Sequence, residues 1–294
     1  MGAYTHRRLR AALVFILRPL SLAVLLTLVC RLLFSSSPFP TPKTTSLPPS
    51  PKPPTKALVL ASTSTLPPSD TAWLSSIPPS WSIHLYNTDL PGVVPIQKGN
   101  EAMPYLTYII DHYASLPDII FFHHSHATSW HQSLSSLDEV LLLRPQYIQK
   151  TGYASPRCLP GCENLIPIAD YAVDFDLFHR VGRDVQLASL FDEFVNRSAG
   201  ERVPERIAAP CCAQFVVTRE RVLRRGREWW VRLREWLVAT PLGDLESGRL
   251  LEWTWHFWMG AGEEFCPEER ACRCHLFGIG ECEEFFELEG GMGG

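Results

Sequence analysis

Four histidines fall within nine residues: His123, His124, His126 and His131. Imidazole ligates zinc and other transition metals, and three histidines with a water form a catalytic metal set. The step His124-Ser125-His126 puts two rings on one side of an extended strand. His124 and His126 are therefore the candidate ligands of a divalent metal, manganese or zinc. Protonated, the same rings would hold a phosphate. The competing reading is a polar loop whose histidines make structural hydrogen bonds.

Glu252 and His256 are four residues apart, with Arg249 nearby. On one helix they share a face, where a carboxylate oriented by a histidine would serve as general base toward a sugar hydroxyl. The plain alternative is a packed, salt-bridged helix surface. Lys98-Gly99-Asn100-Glu101 opens another helix, whose first N–H groups could meet an anionic ligand. Lys98 adds charge, Asn100 is a natural N-cap, and Glu101 suits the helix dipole; the alternative is a cap and nothing more. Asp111 and His112 read as a solvated helix face.

Of nine cysteines, Cys30 stands apart from Cys158, Cys162, Cys211, Cys212, Cys266, Cys272, Cys274 and Cys282. An even number favours disulfides in an oxidising compartment, with the pairing open. The run from Cys266 to Cys282 also has enough thiols for zinc. The neighbours Cys211 and Cys212 are expected to pair elsewhere, or to leave one thiol free, rather than to bond each other. The hydrolase elbow, Walker loop and dinucleotide glycine motif are all absent.

The elements that would position these groups follow from pattern. Ala57–Ser62 is an apolar run and Trp81–Asn87 alternates, so both read as strands. Asp70–Leu74 between them reads as a short helix. Apolar residues at helical spacing from Ala102 to Tyr113 predict a helix after Asn100, ended by Leu116-Pro117. Asp118–Phe122 predicts a buried strand running into the histidines. Cys211–Val217 predicts another, followed by a helix from Thr218 to about Val238 that Gly226 weakens. A further helix is predicted over Gly248–Met259. Strand–helix–strand order implies an α/β fold with a mixed or mostly parallel sheet flanked by helices, and ligands bind at the C-terminal strand ends of such sheets.

Charge divides the chain. Residues 1–56 hold eight Lys or Arg and no acid, leaving 19 basic against all 31 acidic residues beyond. An acidic domain argues against nucleic acid as partner. Residues 11–34 are apolar over a span long enough to cross a bilayer and follow Arg7, Arg8 and Arg10, so they read as an N-terminal transmembrane signal anchor with 1–10 in the cytoplasm. Arg18, Pro19 and Arg31 interrupt it. A cleaved signal peptide, and hence secretion, is the alternative, though no clear small-x-small site follows. Residues 35–56 form a Pro/Ser/Thr-rich stalk. Residues 57–285 are the lumenal globular domain and 286–294 a tail. The sequon Asn196-Arg197-Ser198 suits a glycoprotein.

The blocks ALVLAST (57–63), KGNEAMPYLTYIIDHYASLPDIIFFHHSH (98–126), PCCAQFVVTRE (210–220) and SGRLLEWTWHFWMG (247–260) resemble the fungal proteins grouped as domain of unknown function 3431. The layout is also similar to GT-A-type glycosyltransferases, which are often single-pass type II proteins with a stalk and a lumenal α/β domain. Their Asp-x-Asp metal motif sits at the end of a central strand, where this chain has His124-Ser125-His126. The block AQFVVTRE is similar to the strand-then-helix near their acceptor site, which marks Gln214. The resemblance implies a glycosyltransferase-like enzyme of the Golgi or endoplasmic reticulum, taking a sugar nucleotide and a glycan acceptor. Its catalytic candidates are Glu252, His256 and Glu101, and its substrate-binding candidates Lys98, Asn100, Gln214 and Arg249. The other readings are a non-catalytic lumenal binding or structural module and a metal-dependent hydrolase.

Overall fold

A computed structural model describes residues 52–159, 162, 165–168, 183–280 and 282. The chain divides into units 1–52 and 53–294, and every described strand and helix belongs to the second. The expected cytoplasmic tail, anchor at 11–34, nearly all of the stalk and the tail at 286–294 lie outside the described residues. Among the described residues no helix is long and apolar enough to cross a membrane.

Three strands form first: β1 (Lys56–Ser62), β2 (Trp81–Asn87) and β3 (Ile119–His124). Between β1 and β2 lie α1 (Pro68–Thr71) and a 3-10 turn, Ala72–Ser76; between β2 and β3 runs α2 (Ala102–Asp111). Helices α3 (Ser136–Leu142) and α4 (Pro145–Thr151) follow, then β4 (Tyr153–Ala154). A small ribbon pairs β5 (Ile166–Pro167) with β6 (Arg206–Ile207), with α5 (Arg183–Phe194) between them. The chain then forms β7 (Phe215–Thr218), α6 (Arg219–Val222), α7 (Arg227–Ala239), α8 (Asp244–Glu252), α9 (Trp255–Trp258) and α10 (Glu269–Cys272).

The main sheet has the order β2-β1-β3-β7-β4. β1 runs parallel to β2 and β3, while β7 runs antiparallel to both β3 and β4. Four of the five strands therefore point the same way, a mixed but mostly parallel sheet. Alternation along β1 sends Ala57 and Val59 into one core and Leu58 and Leu60 into the other. Ile120 and Phe122 of β3 join the first, Ile119 and Phe121 the second. A sheet buried on both faces needs such continuous apolar runs.

Helices differ from expectation where chain breakers act. The single helix expected from Thr218 is two, α6 and α7, because Gly226 takes an extended conformation and stands as N-cap of α7. The helix expected over Gly248–Met259 begins earlier, at Asp244, and breaks at Trp253–Thr254 between α8 and α9. Asn100 does not cap α2: it adopts φ 51°, and Glu101 occupies the N-cap position without a side-chain bond. Gly248 of α8 packs on that turn, its α-carbon so close that an added Cβ would lie 3.0 Å from the Gly99 carbonyl.

All eight cysteines beyond Cys30 are paired: Cys158–Cys272, Cys162–Cys266, Cys274–Cys282 and Cys211–Cys212. The last corrects the expectation that adjacent cysteines would not bond each other. Cys212 and Ala213 take φ of 84° and 50°, a left-handed turn that folds the two sulfurs together and delays β7 to Phe215.

Candidate metal and ligand site

Strand β3 delivers the histidines, and strand alternation separates them. His123 shares the side of Phe121, with ring centroids 4.8 Å apart, and is fully buried beside Trp73. His124 faces the other way. The chain then leaves the sheet, and each step of the loop is held by a bond from elsewhere. Trp73 Nε1–H donates to the Ser125 carbonyl at 2.8 Å, Ser136 Oγ to the His126 carbonyl at 2.6 Å, and the Arg157 guanidinium to the His131 carbonyl at 3.0 Å.

The loop brings His124, His126 and His131 into a triangle with ring centroids 5.1, 5.3 and 5.4 Å apart. Their nearest ligand nitrogens all lie within 4.8 Å of one another. Nε2 of His124, Nε2 of His126 and Nδ1 of His131 are buried without a hydrogen-bond partner. Burial lowers the pKa of all three, helped by the neighbouring rings, and brings His131 down to about 4. Neutral rings present lone pairs rather than protons. Zinc holds imidazole nitrogen at about 2.0–2.1 Å, so a cation at the centre would draw the three rings slightly inward. Behind the triangle the Gln214 side chain lies 3.2 Å from Nε2 of His123.

Beside the triangle opens a cleft of about 270 Å³, lined by Ser62 and Thr63 at the end of β1, by His124 and His126, and by Lys98, Asn100 and Glu101 before α2. It lies between β1 and β3. The chain passes from β1 to β2 on one side and then crosses to β3 on the other, so this is the sheet's topological switch point, where α/β folds bind ligands. Burial raises the Glu101 carboxyl to about 8, with Glu252 and then Asp244 adding repulsion. Three acids thus approach one another at the cleft's α2 side.

The expected site residues divide. His124, His126, Glu101 and Asn100 line the cleft together. Asn100 donates its backbone N–H to Asp244 Oδ1 at 3.2 Å. Lys98 lines the cleft too, but its ammonium bonds the Val238 and Thr240 carbonyls at the end of α7. Gln214 lies behind the histidines, against the His123 ring. Glu252 Oε1 accepts the Cys212 N–H at 2.7 Å. The expected Glu252–His256 face does not form, because the helix breaks between them. His256 is buried, its Nε2 3.0 Å from the Glu263 carbonyl, its pKa lowered by burial to about 4. Arg249 is exposed on α8, outside the cleft lining. Sequence reasoning missed Glu139, which pairs with His123, and Arg157, which holds His131. Both partners come from far along the chain, and the crowding of four histidines was the only local sign that His131 completes a set.

Fold and site together define a mixed α/β domain with three clustered histidines at its switch-point cleft. Residues 58–275 match the family described as Protein of unknown function (DUF3431). The chain belongs to that family. No curated protein and no solved structure matches it.

Proposed function

We propose that this domain is a metal-dependent, glycosyltransferase-like enzyme whose cation sits on His124, His126 and His131. One observation carries the reading: at and just beyond the end of β3, His124, His126 and His131 bring one ligand nitrogen each within 4.8 Å of the others, and each ring has a buried nitrogen without a hydrogen-bond partner. An unsatisfied buried polar atom costs about 1–3 kcal/mol, and one cation would offset all three. The position is the one at which, by the resemblance, GT-A enzymes carry their acidic metal motif.

A bound divalent ion there would supply positive charge for a diphosphate leaving group. The chain's own residues would do the rest. Glu101 lines the cleft with its carboxyl raised to about 8, close enough to neutral pH for proton transfer, and its ionised fraction takes the proton of the acceptor hydroxyl. Glu252 fixes the Cys212 peptide, and Gln214 braces the His123 ring that precedes the first ligand. His256 is too far enclosed for a role. In the same proposal residues 11–34 anchor the chain and the domain faces the Golgi or endoplasmic reticulum lumen. Four disulfides suit an oxidising compartment, and the exposed Asn196 suits glycosylation.

A second reading, a zinc hydrolase, is favoured by the ligand chemistry itself. An all-imidazole set suits zinc, whereas manganese and magnesium prefer oxygen, and a zinc-bound water is a nucleophile near neutral pH. The test is metal content of the purified full chain, followed by assays on sugar nucleotides with and without a glycan acceptor. Nucleotide release that requires acceptor supports the transferase; release into water alone supports the hydrolase. If the chain holds no metal and the His124→Ala/His126→Ala/His131→Ala variant behaves like wild type, both readings fall.

A further inference from the structure

We propose that Cys211 and Cys212 form a redox-controlled metal site beside the histidines: reduction of their disulfide creates two thiolates that, with Glu252, bind a second thiophilic divalent cation such as zinc. This proposal does not rest on the histidine reading and fails separately from it.

Geometry points to it in three ways. Ligand atoms of Cys211, Cys212 and Glu252 all lie within 4.8 Å of one another, and all three residues are only partly buried, within reach of a reductant and an ion. The pair is placed by long-range contacts rather than by its own loop: Glu252 Oε1 accepts the Cys212 N–H from across 40 residues, and the Arg157 guanidinium lies 3.8 Å from Cys212 Sγ. A neighbouring guanidinium favours thiolate over thiol. Finally, Cys212 and Ala213 are held at positive φ without being glycine. Non-glycine residues in this region store about 1–3 kcal/mol each, and such strain collects at ligand clamps and switches.

The step balances with an external dithiol as reductant. Its thiolate attacks one sulfur, the Cys211–Cys212 bond breaks, and the mixed disulfide is resolved by the reductant's second thiol. The reductant leaves as its own disulfide, having supplied two electrons and two protons. When the cation binds, the two cysteine thiols release those protons to solvent. In the oxidised state the sulfurs have no thiolate to offer. The site is thus empty or filled according to the redox state around it, while the histidine triangle is not.

The experiment uses the full chain, treated with limiting dithiol until two more thiols per chain titrate than in the untreated protein, whose Cys30 lies outside the four disulfides. Mass mapping is expected to place them at Cys211 and Cys212; if another pair opens first, the proposal is overturned. Zinc content after dialysis is expected to rise by one per chain on reduction. No rise overturns it, as does an equal rise in Cys211→Ser/Cys212→Ser. Should that variant not fold, wild type reduced and then alkylated at these two thiols replaces it, and is expected to show no gain. Glu252→Gln is expected to weaken the gained zinc at least tenfold. The His124→Ala/His126→Ala/His131→Ala variant should keep the redox-dependent zinc, so a failure of the triangle leaves this result readable.

Discussion

Nε2 of His123 lies 2.7 Å from Oε2 of Glu139, with both side chains buried. Nδ1 of the same ring lies 2.6 Å from the His124 carbonyl, so Nδ1 carries a proton and donates it. A second proton therefore sits between Nε2 and the carboxyl, whichever of them owns it. The pair fixes the end of β3 from beneath, one residue before the first candidate ligand. Removing one member of a buried pair strands the other, which typically costs about 3–5 kcal/mol. Glu139→Ala is expected to lose about 3 kcal/mol in urea unfolding at unchanged slope, and Glu139→Gln, whose amide can donate to Nε2, about 1 kcal/mol. Equal losses for the two would show that packing, not the shared proton, matters here.

Glu101 makes stability depend on pH with a definite sign. Its carboxyl is raised from 4.5 to about 8 in the fold, so between those values the native state holds a proton that the unfolded chain has lost. Its contribution is full below pH 4.5, declines as pH rises, and is gone above about 8. A single such group gives a slope of at most about 1.4 kcal/mol per pH unit, reduced here because the cleft admits water. In metal-free buffer, Glu101→Gln should therefore gain on wild type steadily from about pH 5 to about pH 8. Parallel unfolding curves for the two proteins would refute the assignment.

The histidine triangle predicts a thermal shift. Zinc at about 100 times its dissociation constant adds about 2.7 kcal/mol to the folded state, or about 5–10 °C for a domain of this size. Single alanine substitutions at His124, His126 or His131 should each abolish most of that shift. His256→Ala should leave it intact while lowering the starting melting temperature.

Two disulfides are nested: Cys158–Cys272 encloses Cys162–Cys266. With either one in place, the other closes a loop of only roughly ten residues, whereas losing both opens more than a hundred. On the chain-entropy model a single Cys→Ala pair costs about 3 kcal/mol and the double loss about 7–8 kcal/mol. The measured quantity is the non-additivity, from denaturant midpoints of the three variants. Simple additivity would mean that each bridge acts through local packing.

Much of the sheet is legible in sequence because its signals are local. Ala57–Ser62 and Asp118–Phe122 announce β1 and β3 through apolar runs, with bounds off by one or two residues, and the alternation of Trp81–Asn87 gives β2 with its bounds. Helix α2 follows from its spacing, though its start does not, since Asn100 spends its position on a left-handed turn against Gly248. The run Cys211–Val217 announces β7, which starts only at Phe215, but neither its antiparallel direction nor the two-residue β4 has a local signal: their place in the sheet is decided by pairing with strands far off in the chain. The site divides in the same way. His124 and His126 stand out by composition, while the roles of Glu139, Arg157 and Gln214 exist only once β3, α3 and the start of β7 have met. Pairing of Cys211 with Cys212 depends on two unusual backbone angles that nothing in the residue types demands.

Because β7 runs against β4, the chain leaves the sheet after Ala154 and re-enters it at Phe215 on the same side, the side of the histidines. Sixty residues are thus spent on one excursion whose two stems supply Arg157 and Cys211–Ala213. Doubling the length of such a segment adds only about 0.6 kcal/mol of closure entropy. Length in this excursion is therefore cheap in closure entropy, but its helix is not free to change: Leu187, Leu190, Phe191 and Phe194 of α5 share one core with Val59 of β1 and Phe122 of β3, so the longest detour in the fold is also part of what holds the sheet.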